Sequence, residues 1–155
     1  MKRTAKTIMV LCMVASLFFS VSISANADIV ETEEIIPRGD ITPLWCPPTS
    51  VTVPGLNGSA TTFMSVPKGT DSEAGSIVCL GKSNDRKFDA RIVNTLGESR
   101  SSWARDLPIG SVINVTLNGA VKGYNYQCQV SSDLLSYGET TVTLSFSPDF
   151  FKNYP

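Results

Sequence analysis

The sequence contains no histidine, and that absence excludes more than any residue present assigns. No Ser-His-Asp or Cys-His nucleophile system can be built, and no zinc site can use imidazole. Basic residues are thin as well. Thirteen Lys and Arg face fourteen Asp and Glu, with no Lys/Arg cluster on an expected helix or strand, so the footprint of a nucleic-acid binder is missing. After the N-terminal region no long apolar run recurs. The tail from Phe150 to Pro155 is too short and polar for a lipid-anchor signal. No segment joins helical spacing to a cap and sufficient length. Neither an internal repeat nor a cofactor motif is visible, so no cofactor and no metal are expected.

What is present begins with a secretory address. Lys2, Arg3 and Lys6 precede an apolar stretch from Ile8 to Phe19, and Ser20 to Ala27 turns small and polar, closing on Ala25-Asn26-Ala27. That order is how a signal peptide is built. An uncleaved anchor would need about 20 apolar residues, and a lipidated Cys12 would stand after the apolar run rather than inside it. Cleavage is therefore expected after Ala27. It removes three basic and no acidic residues, taking the formal net charge from −1 to −4. The expected product is secreted and extracellular, lacks a stable membrane anchor, and is long enough for one domain with a real core. Mild acidity opposes a general affinity for anionic membranes. Residues 28–44 carry Glu31, Glu33, Glu34, Pro37, Gly39 and Pro43 without apolar periodicity, the composition of a flexible, disordered arm. The body is assigned to residues 45–155.

The body has strand patterning. Short β-like runs are expected at Val51–Val53, Ala60–Val66 and Ser76–Leu80. From Lys87 to Asn94, Phe88, Ala90 and Ile92 share one face, and Asp89 and Arg91 the other. Ile113, Val115 and Leu117 alternate with Asn114 and Thr116. Tyr124, Tyr126, Cys128 and Val130 alternate with Asn125, Gln127 and Gln129, and Val142, Leu144 and Phe146 stand between Thr and Ser. Period-two alternation rich in β-branched and aromatic residues marks half-buried strands. Asn57-Gly58, Lys68-Gly69, Leu96-Gly97, Asn118-Gly119 and Tyr137-Gly138 supply the turns between them. Many short strands, each with one polar face, imply an all-β fold. A single antiparallel β-sandwich is favoured, with a small barrel as the alternative.

Three cysteines survive cleavage. Cys79 and Cys128 occupy core-facing positions and are the expected disulfide. Cys46 lies at the domain edge, where it could pair with either or link two chains into a dimer. Cys79, Trp103 and Cys128, with Tyr126 two residues before Cys128, resemble the Cys…Trp…Cys and Tyr-x-Cys features of immunoglobulin domains. The match is partial: Trp103 comes late, and the stretch Lys122-Gly123-Tyr124-Asn125-Tyr126-Gln127-Cys128 departs from the Asp-x-Gly-x-Tyr-x-Cys frame. The resemblance implies a sandwich of immunoglobulin-like general character.

Candidate chemistry is sparse. Without histidine, proton transfer would fall to carboxylates such as Asp85, Asp89, Glu98 and Asp106, as in glycoside hydrolysis. Asp89 shares its strand face with Arg91. Lys68, Lys82, Lys87 and Lys122 sit beside turns or on polar faces, where no desolvation is expected. Arg100, Trp103 and Arg105 are the candidate binding residues, an aromatic flanked by two guanidinium groups; the competing role for Trp103 is to close one end of the core. Arg38-Gly39-Asp40 matches an integrin-recognised tripeptide but is also a good turn, and Asn57 and Asn114 begin glycosylation-type sequons. The expected function is a non-enzymatic extracellular binding module for a protein or glycan. A secreted bacteriocin-like antagonist of membranes is the alternative, and a carboxylate-dependent hydrolase ranks last.

Overall fold

A computed structural model describes residues 42–133 and 137–155. The expected signal peptide, almost all of the acidic arm and Arg38-Gly39-Asp40 lie outside the described residues. The body is a β-sandwich of two antiparallel four-stranded sheets, with no helix among the described residues. One sheet contains β1 (Thr49–Val53), β4 (Ala74–Lys82), β6 (Val112–Thr116) and β8 (Thr140–Ser147), in the order β1-β8-β4-β6. In the other, β7 (Asn125–Ser132) is central. It pairs with β5 (Phe88–Asn94) on one side, and on the other with the short β2 (Ser59–Thr61) and β3 (Val66–Pro67).

The alternation in the sequence sets which side chains meet between the sheets. Phe88, Ala90 and Ile92 from β5, Tyr126, Cys128 and Val130 from β7, and Val142, Leu144 and Phe146 from β8 are all buried in one core. The residues alternating with them turn away from that core, some to solvent and some, such as Val93 and Ser145, to buried positions outside it. On β1 and β8 the solvent-facing ones form hydroxyl pairs, Ser50 with Thr143 at 2.9 Å and Thr52 with Thr141 at 3.2 Å, the cross-strand unit of sheet stabilisation. Asn114 is exposed on β6, as its alternation predicts.

The run expected as one strand from Ala60 to Val66 is broken. Thr62 turns inward, and its hydroxyl accepts the Cys128 N–H at 3.0 Å and donates to Met64 O at 3.0 Å. Residues between Thr62 and Val66 therefore leave the ladder, and Phe63 projects into solvent at 96% exposure.

The immunoglobulin-like features divide. Tyr126 is buried, and its hydroxyl accepts the Val121 N–H at 2.7 Å and donates to Val121 O at 3.2 Å. This is the tyrosine corner that such domains place two residues before a core cysteine. The strand order is different, because β7 and β8 lie in opposite sheets, whereas the last two strands of an immunoglobulin domain share one. The expected Cys79–Cys128 bridge is absent. Cys46, Cys79 and Cys128 are all buried free thiols. The Cys79 thiol is turned toward Gly81 O at 3.6 Å, beside the irregularity in β4, and the Cys128 thiol toward Gln129 O at 4.0 Å. Each fills the core as a small apolar side chain. Cys46 is equally buried, which leaves it no surface from which to reach a second chain.

Lys68 also departs from expectation. It is fully buried and paired with buried Asp149. A lysine beside a Lys-Gly turn looks exposed in sequence; the segment after β8 covers it here.

Candidate functional site

The outward face of the β5–β7 sheet carries a polar groove of about 590 Å³. Its construction follows from strand register. Beyond β5 the chain returns alongside it, and Ala104 bridges Ala90 in antiparallel fashion, with hydrogen bonds of 2.7 and 3.0 Å. Both alanines point into the core. Their neighbours must then point out, since successive side chains alternate across a strand. Asp89 faces Arg105, and Arg91 faces Trp103.

Both juxtapositions become contacts. Arg105 donates a charge-assisted hydrogen bond to Asp89 Oδ2. The Arg91 guanidinium lies 4.4 Å from the centre of the Trp103 ring, within cation–π range. The rows continue across the sheet, because β7 places Ser131 opposite Asp89 and Gln129 opposite Arg91. Arg91 Nε donates to Gln129 Oε1 at 2.8 Å. Ser59 on β2 extends the first row past Ser131. The groove floor is thus two parallel polar rows, Arg105-Asp89-Ser131-Ser59 and Trp103-Arg91-Gln129.

One end of the groove is acidic. Carboxylate oxygens of Asp89, Asp106 and Asp133 lie within 4.8 Å of one another. The charges are partly matched in place. Asp89 holds Arg105 and accepts the Asp106 N–H at 2.9 Å, and Asp106 pairs with Lys87 at 2.8 Å. The hydrogen bond and charge of Asp106 push the Lys87 ammonium up from its ordinary range.

Of the three expected binding residues, Trp103 and Arg105 line this groove and Arg100 does not. Arg100 is tied to Glu98 at 3.0 Å, near the turn that Asn94 caps by accepting the Leu96 and Glu98 N–H groups. Trp103 is half-buried on the outer face and does not close the core. Among the four carboxylates singled out in the sequence, Asp89 and Asp106 come together, whereas Asp85 and Glu98 belong to other turns. Arg91, Gln129, Ser131 and Asp133 were not singled out. Alternation placed Arg91 and Gln129 on outer faces, but only the β5–β7 pairing sets them side by side.

No protein-family model and no curated protein matches this chain.

Proposed function

We propose that this protein is a secreted, non-enzymatic module that binds a carbohydrate in the groove on the β5–β7 face. The two polar rows carry this reading. A sugar ring presents hydroxyls that both donate and accept, and the rows offer guanidinium donors, carboxylate and amide acceptors, and serine hydroxyls within one open depression. Opposite charges are interspersed, which suits a neutral polyhydroxylated ligand better than a strongly charged one. The indole of Trp103 adds an apolar surface at the edge. Sites of this kind combine a concave surface with a few placed polar groups that fix orientation. Protein partners are favoured by a central apolar anchor with a polar rim, and the groove floor has no such anchor.

A binding role also suits the carboxylates. Both oxygens of Asp89 already accept hydrogen bonds, and Asp106 is engaged by Lys87. They serve readily as fixed acceptors for a ligand.

The test is binding of the mature protein to a panel of neutral and acidic glycans, followed by titration calorimetry on the best ligand. Arg105→Ala and Gln129→Ala should each weaken binding about tenfold, the loss of one good hydrogen bond, while Arg100→Ala leaves it unchanged. Capture of a protein partner that survives glycosidase treatment, with no glycan bound, would overturn the carbohydrate reading. Hydrolysis of a panel member that Asp89→Asn abolishes without unfolding would overturn the non-enzymatic one.

A further inference from the structure

We propose that Lys68 and Asp149 become joined by an intramolecular amide bond, a covalent cross-link between the two sheets. Lys68 directly follows β3, on the edge of the β5–β7 sheet, and its backbone still pairs there: its N–H reaches Tyr124 O and its carbonyl accepts the Gly123 N–H, each at 2.9 Å. Asp149 lies just beyond β8, in the opposite sheet. The Lys68 Nζ stands 3.6 Å from Asp149 Oδ1, and each side chain is 1% exposed.

The surroundings fit condensation. The Pro148 carbonyl accepts a hydrogen bond from Nζ at 2.6 Å and holds the amine beside the carboxyl group. Asp149 Oδ2 accepts the Gly69 N–H at 2.7 Å, and Oδ1 accepts the Thr70 N–H at 2.9 Å and the Thr70 hydroxyl. Aimed donors of this kind stabilise an oxyanion at a tetrahedral carbon. Burial pulls the Lys68 ammonium below its ordinary range, against the attraction of Asp149 and the weaker one of exposed Asp71, and this favours the free amine that must attack. Holding the two groups in fixed contact replaces a bimolecular encounter with an intramolecular one. There is a thermodynamic drive as well. Two desolvated charges are costly to bury, and condensation turns them into one neutral amide.

The step balances without an outside reagent. A proton passes from the Lys68 ammonium to Asp149 Oδ1. The freed Nζ lone pair adds to Cγ, and the carbonyl electron pair moves onto Oδ2, facing the Gly69 N–H. Nζ then yields a second proton to Oδ1, which departs as water while the carbonyl re-forms. One N–C bond forms, one C–O bond breaks, and nothing is oxidised or reduced. The event occurs once per chain, so a slow reaction suffices.

Mass spectrometry of the folded, then denatured, mature protein tests this directly. The intact mass should fall below the sequence mass by one water. Trypsin should fail to cut at Lys68, and the digest should contain the 39–82 peptide joined to the 123–152 peptide. Lys68→Met and Asp149→Ala should each restore the variant's full mass. If either variant does not fold, fragmentation of the wild-type cross-linked peptide still locates the bond. A full sequence mass with ordinary cleavage at Lys68 would overturn the proposal. So would a water loss mapped elsewhere with Lys68 free to react with an acylating reagent.

Discussion

Ala104 decides where Trp103 and Arg105 point. With a small side chain turned into the core opposite Ala90, it leaves both neighbours on the outer face, so the aromatic is a surface residue over Arg91. Trp103→Ala should then cost only the cation–π contact and some packing, about 1 kcal/mol or less, in urea unfolding monitored by circular dichroism. A loss of about 3–5 kcal/mol, the usual cost of emptying a core tryptophan site, would contradict this placement. The cysteines make the second prediction. Burial pushes the Cys46 thiol up from 9.0 to about 11 and drives Cys128 and Cys79 in the same direction. Folded thiols thus stay protonated where unfolded ones ionise. Stability from this source is fully present below pH about 9 and is lost as pH rises toward 11 and beyond, at about 1.4 kcal/mol per pH unit for each thiol. Urea midpoints at pH 8, 9 and 10 under reducing conditions should fall, and the decline should be shallower in Cys128→Ala. Without reductant, three thiols should react in the denatured mature chain and none in the native one.

Among the elements, β7 organises both the core and the groove. Its inward residues Tyr126, Cys128 and Val130 are buried, and its outward Gln129 and Ser131 line the groove. The tyrosine corner fixes the entry to this strand. Tyr126→Phe should lose about 1 kcal/mol, the net worth of a typical hydrogen bond, with the proposed glycan binding unaffected. Close approach of the two sheets is visible at Gly75 on β4. A methyl group there would stand 2.3 Å from Ile92 Cδ1 and 3.0 Å from Ser147 O. Gly75→Ala should destabilise by about 1–3 kcal/mol through overpacking, measured as a lowered urea midpoint. The broken β2–β3 edge has the opposite character. Its sequence looks like a continuous strand, yet the Thr62 hydroxyl competes for the Cys128 N–H and ejects the next residues. Side chains that can bond backbone groups offer the chain an alternative to the ladder, and sequence periodicity does not register that competition.

Over the whole molecule, the chain end closes the sandwich. Asp149 gathers Lys68, Gly69 and Thr70, Ser76 donates to Asp149 O and accepts the Phe151 N–H, and Phe151 and Tyr154 pack on Trp45 with ring centres 5.2 and 5.1 Å away. Truncation after Ser147 should uncover both Trp45 and Lys68 and remove the bonds that Asp149 makes to Lys68, Gly69 and Thr70. With that packing and those hydrogen bonds lost, the truncated protein should unfold at markedly lower urea, with Trp fluorescence shifted to the red. The proposed secretion makes a further prediction: the protein recovered from the culture medium should begin at Asp28, and an intact mass retaining Met1 there would refute cleavage after Ala27.

The sequence by itself determined the all-β class and most strand positions, because a sheet with one wet face needs period-two alternation, and that signal is local. It also determined the inward residues of β5, β7 and β8, for the same reason. Tertiary structure alone decided which strands pair, and therefore the strand order, the rows of the groove, the separation of Arg100 from Trp103 and Arg105, and the burial of Lys68 beneath the chain end. Each of these depends on contacts between residues far apart in the chain, such as Lys68 with Asp149 or Asp89 with Ser131. The free thiols belong to the same class: core-facing positions were legible, but whether two sulfurs meet depends on how the sheets pack.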